Sequence, residues 1–403
     1  MVTVDDTGFG TLLSGLLQRA HEVAPEEWGA ELTGAAQRIG VDEVRVLLAE
    51  VQQARLVPLP GDAADSPGRD AVAVDGTPAG AAYRSVSLRL SERDDRITIW
   101  LPLLDGGERI GVMEVATHRI DPDLLARCRA LADVTALTLA SKARSCDDLS
   151  RLVRGRPMST AAELVWAFLP PRTVGTAEVT SSAVLEPAYE VGGDAFDHTL
   201  MGHHLHLVLV DAMGHDLASG LAAAVALAGC RAARRAGADL AEIVKTVDEA
   251  LYEWVPDRHA TAVFADLDVR SGQFSWANCG HPPPRLIRAR RVVTGALERE
   301  AELPLGLGPA YGGRPRSVHS TRLEPGDRVL IHTDGAIDSR AENAENGDTF
   351  GEERLTEYVV HATAAGDPAP EVLRRLVCAV LAHRHGRLDD DATFLLAEWH
   401  PGR

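Results

Sequence analysis

The sequence predicts an α+β fold in two parts, an N-terminal α/β unit and a C-terminal pair of packed sheets with helices outside. Three observations predict it. The chain has 403 residues, 45% hydrophobic and 25% charged, which is an ordinary balance for globular protein and enough length for two or three domains. Strand-like and helix-like runs recur along most of it. Between residues 142 and 170 the character shifts to a charged helical connector, which divides the chain.

The first part opens with two helical patterns, Phe9 to Val23 and Glu27 to Ile39, whose apolar residues recur at three- and four-residue intervals. Short strand-like runs follow at Val44 to Val51 and Leu56 to Leu59, then a polar stretch from Gly61 to Gly68 with the composition of an exposed loop. Val72 to Val74 precedes Asp75-Gly-Thr-Pro-Ala-Gly-Ala-Ala-Tyr-Arg84, read as a turn and a short helix. Arg96 to Leu104 and Glu108 to Val115 flank Asp105-Gly-Gly, a hairpin signal because those residues tolerate the positive φ angles of tight turns. A helix from Asp121 to Ser141 closes the unit. Together the Asp-Gly-Thr…Ala-Ala-Tyr-Arg segment and the Leu-Pro-Leu-Leu-Asp-Gly-Gly-Glu-Arg-Ile-Gly-Val hairpin resemble a GAF-type sensor domain over residues 1–140. That resemblance implies an unknown small-molecule or protein signal; a sheet domain used only for dimerisation fits the same residues.

The connector includes Lys142-Ala-Arg-Ser-Cys-Asp-Asp-Leu-Ser-Arg151, an interruption at Gly155-Arg-Pro157, and a helix from Ser159 to Phe168 that stops at Leu169-Pro-Pro171. It either transmits a change or acts as a spacer, and such linkers can pair into a homodimer. Beyond it, strands are expected at Ala177 to Leu185, Leu205 to Val210, Thr261 to Val269, Gln273 to Ala277, Arg285 to Ile287, Arg328 to His332 and Thr393 to Glu398. Helices are expected at Leu217 to Arg235, Asp239 to Trp254, Glu352 to Ala365 and Pro370 to His385. Asp239-Leu-Ala-Glu242 has the form of a capping box. Sequential strands with helices between them point to two packed sheets with helices outside. The expected organisation is thus 1–140, a linker at 141–172, and a second domain at 173–403.

Four stretches of that second domain place an acid beside glycine or a second acid, at a strand end or in the adjoining turn. They are Val191-Gly-Gly-Asp194, Val210-Asp211-Ala-Met-Gly214, His332-Thr-Asp334-Gly335 and Asp389-Asp390-Asp391-Ala-Thr393. Any one of them alone reads equally as a turn or a helix cap. Converging carboxylates cost energy unless a cation compensates them, so the set implies a hard metal. Ligands dominated by Asp, without a His/Cys cluster, favour magnesium or manganese over zinc or copper. Two such ions sharing a carboxylate follow the two-metal logic of phosphoester hydrolysis.

The order of motifs from 165 to 398 resembles the phosphatase domain of PP2C-type (PPM) protein serine/threonine phosphatases, in the bacterial SpoIIE and RsbU branch. The matching stretches are Leu169-Pro-Pro171, Val191-Gly-Gly-Asp-Ala-Phe-Asp197, Asp211-Ala-Met-Gly-His215, Asn278-Cys-Gly-His-Pro-Pro-Pro284, Leu303-Pro-Leu-Gly-Leu307, Thr333-Asp-Gly335, Phe350-Gly-Glu-Glu-Arg-Leu355 and Asp390-Asp-Ala-Thr393. The resemblance implies an αββα sandwich, two Mn2+ or Mg2+ ions at one edge, and a metal-bridging water as nucleophile. Carried over, Asp211 bridges both metals, Asp194 ligates one with help from the Ala212 carbonyl, and Asp334 and Asp390 ligate the other. Asp391 ranks below Asp390 as a ligand. It further implies a phosphorylated STAS-domain anti-sigma-factor antagonist as substrate. A catalytically degenerate scaffold binding the same partner is the alternative, against which the presence of all four acids weighs.

Departures from that family pattern are Ala195, where an aromatic residue is usual, and Asp216, where glycine commonly follows Gly-His. Asp216 either caps the helix beginning at Leu217 or influences a metal's waters. Met213 occupies the position of a histidine proposed as general acid in eukaryotic members, and His215 and His281 read as loop-bonding residues rather than its substitutes.

A formal net charge of −18 argues against nucleic acid or an anionic membrane as partner. No apolar run reads as long enough to span a bilayer, and the start Met-Val-Thr-Val-Asp-Asp lacks signal-peptide character, so a cytoplasmic location is expected. The five cysteines are scattered without a CxxC pair, suggesting neither a disulfide framework nor a zinc site.

Overall fold

The computed structural model describes residues 6–60, 70–300, 302–312, 316–337, 349–384, 388 and 390–401. The polar stretch 61–68, His385 and Asp389 lie outside them. The chain divides into two compact units, Met1–Arg156 and Pro157–Arg403.

In the first unit the order is α1 (Asp6–Glu22), α2 (Trp28–Arg38), β1 (Glu43–Ala49), β2 (Arg55–Pro58), β3 (Val72–Ala73), α3 (Pro78–Ser85), β4 (Arg89–Arg93), β5 (Arg96–Asp105), β6 (Glu108–Thr117), α4 (Pro122–Ala143) and α5 (Asp147–Val153). Thr77 and Asp121 start α3 and α4 by accepting the backbone N–H of Gly80 and Leu124, each followed by proline at the first helical position. The strands form one antiparallel sheet in the order β3-β2-β1-β6-β5-β4. Asp105 pairs with Glu108 across the predicted hairpin, and Gly106 takes φ +60° in its turn. Strand alternation divides the apolar side chains. Ile99, Leu101, Leu103, Met113 and Val115 pack with α1, α2 and α4, while Leu47, Trp100 and Val112 pack with Tyr83 of α3. The sequence reading missed β4, because Arg-Leu-Ser-Glu-Arg is exposed throughout and carries no apolar alternation.

The second unit contains α6 (Thr160–Phe168), β7 (Thr173–Gly175), β8 (Val179–Glu186), β9 (Asp194–Met201), β10 (His204–Ala212), α7 (Leu217–Arg235), α8 (Leu240–Trp254), β11 (Ala260–Asp268), β12 (Gln273–Cys279), β13 (Arg285–Arg288), β14 (Arg291–Val292), β15 (His319–Arg322), β16 (Arg328–His332), α9 (Glu352–Ala364), α10 (Ala369–His383) and β17 (Ala392–Trp399). Two antiparallel sheets run β15-β12-β11-β10-β9 and β14-β13-β16-β17-β8-β7. They share a core. Val329, Ile331, Leu395 and Ala397 meet Leu205, Leu207 and Leu209 of the other sheet, and α7 and α8 close that core from the far side. The alternate residues Leu330, Phe394 and Leu396 face α9 and α10. The layers are therefore helix, sheet, sheet, helix.

The stretch 141–172 falls in both units: Leu149 of α5 joins the core of the first, Ala162 and Val165 of α6 that of the second. One reading requires correction. α7 is long and apolar enough to cross a membrane by length and composition alone. Its high alanine content serves close packing instead, with Ala222, Ala223, Ala226 and Leu227 fully buried in the shared core.

Candidate metal centre

The site begins with a strand register. β9 and β10 are antiparallel, and Asp194 stands directly opposite Asp211. The run Leu205 to Val210 is buried nearly throughout and delivers Asp211 to the end of the sheet, half-exposed, whereas Asp194 is 1% exposed. One step on, the Ala212 N–H donates to the Gly193 carbonyl at 3.1 Å. A side chain at 193 would put its Cβ 2.3 Å from the Ala212 oxygen and 2.6 Å from that of Gly214, so only glycine allows this approach. At Gly335 the same atom would fall 2.1 Å from the Asp391 oxygen.

Hydrogen bonds fix the buried acid. Thr333 and Thr393 donate their hydroxyls to Asp194 Oδ2 at 2.8 and 2.6 Å, and Thr393 N–H donates to Thr333 Oγ1 at 2.9 Å. Asp391 Oδ2 accepts the N–H groups of Gly192, Gly193 and Asp194 at 2.9, 2.8 and 3.2 Å. Asp391 thus anchors the Gly-Gly-Asp turn, which explains an acid there independently of any metal. Asp390 is exposed beside it and accepts the Asp391 N–H at 2.9 Å. Asp334 is also exposed, at the start of a short 3-10 turn following β16.

The acids act on one another electrostatically. Burial pushes the Asp211 carboxyl up to about 7, reinforced by the charges of Asp334, Asp390 and Asp391. Asp194 is held well above the usual carboxylate range by burial, then by Asp211 and Asp391, against the two threonine hydroxyls. Asp391 is raised by burial against its three N–H donors. The structure therefore brings Asp194, Asp211, Asp334, Asp390 and Asp391 into one field. Among the described residues no three His, Cys, Asp or Glu side chains already stand grouped as a metal-holding set, so the acids meet electrostatically rather than as a preformed cluster. An oxygen-only set with mutually raised acids, an open rim and a close-approaching Ala212 carbonyl fits magnesium or manganese, which keep several waters.

The flanking positions are distinct. Asp216 caps α7: its Oδ1 accepts the Ser219 N–H at 2.9 Å, and its Oδ2 accepts from Arg258 at 2.7 Å. The Ser219 donors, then Arg258, hold its carboxyl down to about 2. His281 is buried, and both ring nitrogens are engaged, with Thr261 Oγ1 at 2.8 Å and the His332 carbonyl at 3.0 Å. Burial pushes it down to about 3, so the ring is neutral at neutral pH and its Nε2–H is committed to the His332 carbonyl. Met213 and His215 are exposed. Sequence reasoning missed Thr333, Thr393 and Arg258 as site residues. The threonines lie inside the quoted acidic motifs, a signal that was present; Arg258 gave none.

Comparison with known proteins finds relatives of the second unit. Residues 201–400 match the family model "Stage II sporulation protein E (SpoIIE)", a span that holds Asp211, Asp334 and Asp390 and begins just after Asp194. Protein IcfG of Synechocystis sp. is 28% identical over 140 residues, 34% of this chain and 20% of that protein. Phosphoserine phosphatase RsbU of Bacillus subtilis is 21% identical over 215 residues, 53% of this chain and 61% of that protein. The chain thus spans about a fifth and about three fifths of the curated relatives it matches. Among solved structures, the SiaA-PP2C domain of Pseudomonas aeruginosa shares the fold, with TM-score 0.51 and 22% identity, covering 64% of this chain and 99% of that one. Residues 201–400 of the second unit thus match the SpoIIE family, and the chain is similar to the RsbU branch of PP2C-like (PPM) serine/threonine phosphatases.

Proposed function

We propose that the protein is a divalent-metal-dependent phosphatase acting on phosphoserine or phosphothreonine of a regulatory protein. The carrying observation is the opposition of Asp194 and Asp211 across β9 and β10 within the field of Asp334, Asp390 and Asp391. In this reading Asp211, Asp194, the Ala212 carbonyl, Asp334 and Asp390 would hold two Mn2+ or Mg2+ ions, with Asp211 central to the set. When bound, such ions neutralise an incoming phosphate and activate water at neutral pH. The chain's own residues prepare that state. Thr333 and Thr393 orient Asp194 by occupying Oδ2, and Asp391 holds the turn that presents it. Asp334 and Asp390, exposed at the rim, give the site access from solvent.

A phosphorylated STAS-domain antagonist of an anti-sigma factor is the proposed partner, supported by the resemblance to the RsbU branch. The first unit is proposed as a GAF-like sensor, supported by its antiparallel sheet covered by helices on both faces. The test is phosphate release from phosphoserine, phosphothreonine and phosphotyrosine peptides and from a phosphorylated STAS protein, with manganese present. Release from the serine or threonine substrates and not from tyrosine is expected. Equal release from all three, or none, contradicts the proposal. Full-length protein and Pro157–Arg403 responding identically to candidate signals would remove the sensor role.

A further inference from the structure

Arg258 lies just before β11, and its guanidinium holds the loop that follows Asp211 and Ala212 together with the first turn of α7. Its Nη1 donates to the Met213 carbonyl at 2.9 Å and to Ser219 Oγ at 3.4 Å, and its Nη2 donates to Asp216 Oδ2 at 2.7 Å. Ser219, fully buried, has its single hydroxyl proton within reach of two acceptors, the Met213 carbonyl at 3.0 Å and Asp216 Oδ1 at 2.9 Å. The Met213 N–H donates to the His259 carbonyl at 3.1 Å. One guanidinium and one carboxylate therefore close the loop at its entry, Met213, and at its exit, Asp216. Gly214 sits between them at φ +94°, where a Cβ would come within 2.9 Å of Arg258 Nη1.

Helix capping alone does not account for this arrangement. The cap uses Asp216 Oδ1 and the Ser219 N–H, and neither the Arg258 contact to the Met213 carbonyl nor the one to Asp216 Oδ2 adds to it. A partly exposed ion pair also contributes little to global stability, so the consequence to look for is local geometry. From these contacts we infer that Arg258 is a positioning residue: with Asp216 it latches the Met213–Asp216 loop and so fixes the backbone that carries the Asp211 carboxylate and Ala212 carbonyl toward a divalent ion. Asp216, which stands where the family pattern has glycine, is then the partner that makes this arginine effective. The inference rests on the metal-centre reading above. The planar guanidinium sets Nη1 on the Met213 carbonyl and Nη2 on Asp216 Oδ2 at once, a fixed two-acceptor span that a lysine ammonium does not reproduce.

The test is Mn2+ titration of the full chain by calorimetry, with the melting temperature of each metal-free protein measured alongside. Outer groups that orient ligands typically change metal affinity by about 10- to 100-fold, so Arg258→Ala is expected to bind Mn2+ at least about 10-fold more weakly, with Arg258→Lys recovering only part. Asp216→Asn keeps a good capping side chain, so its melting temperature stays near wild type while its affinity falls. The double variant is expected to be no weaker than the weaker single, since both changes open the same latch. Wild-type affinity in both Arg258→Ala and Asp216→Asn overturns the latch, as do losses that multiply in the double variant. Should Arg258→Ala not fold, Asp216→Asn decides alone. Asp211→Asn is the reference: if it too binds like wild type, the metal-centre reading falls and takes the latch with it. Loss of binding in Asp211→Asn with no change in the other two removes the latch alone.

Discussion

Asp194 and Asp211 are direct cross-strand neighbours in the β9–β10 pair, two carboxylates in a position where like charges repel. Neither can be moved cheaply. A one-residue slip would turn every buried side chain of β10 to the wrong face, so the packing of Leu205, Leu207 and Leu209 enforces the repulsion.

That enforced contact gives the metal-free protein a pH-dependent stability of defined sign. The Asp211 carboxyl is raised to about 7 in the folded chain, against about 3.9 for an unfolded aspartate, and Asp194 and Asp391 shift in the same direction. The folded state therefore binds more protons, and the associated stability is present below pH about 4 and lost as pH rises through about 7. Thermal melts in chelator between pH 5 and 8.5 are expected to show a falling melting temperature, and saturating Mn2+ is expected to flatten it. A metal-free profile that rises across this interval contradicts the assignment.

Thr333 and Thr393 supply the hydroxyl donors to Asp194 Oδ2. Replacing either by valine keeps the shape and removes a bond to a buried charged group, at a cost of about 1.5–3 kcal/mol in stability at neutral pH. The Thr333→Val variant is expected to show the larger effect, since Thr333 Oγ1 also accepts the buried Thr393 N–H at 2.9 Å, which valine cannot do. Denaturant melts with manganese check this. Losses below about 0.5 kcal/mol for both variants would mean that the threonines do not hold the carboxylate.

Much of the site could be read from the chain because its local signals were strong. Leu205 to Val210 is an apolar strand that ends on Asp211, and Asp216 stands in cap position ahead of an unbroken helical pattern. β9 could not be read that way. Its buried residues include Asp194, Asp197 and His198, which look like loop residues until their partners are known. Arg231 and Arg234 hold Asp197 at 2.6 and 2.9 Å, and Ser181 and the Pro171 carbonyl hold His198 at 2.8 and 2.7 Å. The missed donors share this property. Thr393 is 199 residues from Asp194 in sequence and Arg258 is 42 from Asp216, separations over which no periodicity or spacing carries information.

The central claim is that these carboxylates form a divalent-metal site on which phosphomonoester hydrolysis depends. Its most direct measurement is the rate of p-nitrophenyl phosphate hydrolysis by the purified chain with manganese, with chelator, and after Asp211→Asn. The account predicts turnover that requires manganese, is abolished by chelator and returns on adding the metal back, with Asp211→Asn reduced by at least about 100-fold, the order expected when a group central to charge stabilisation is removed. Equal rates in all three conditions would contradict it.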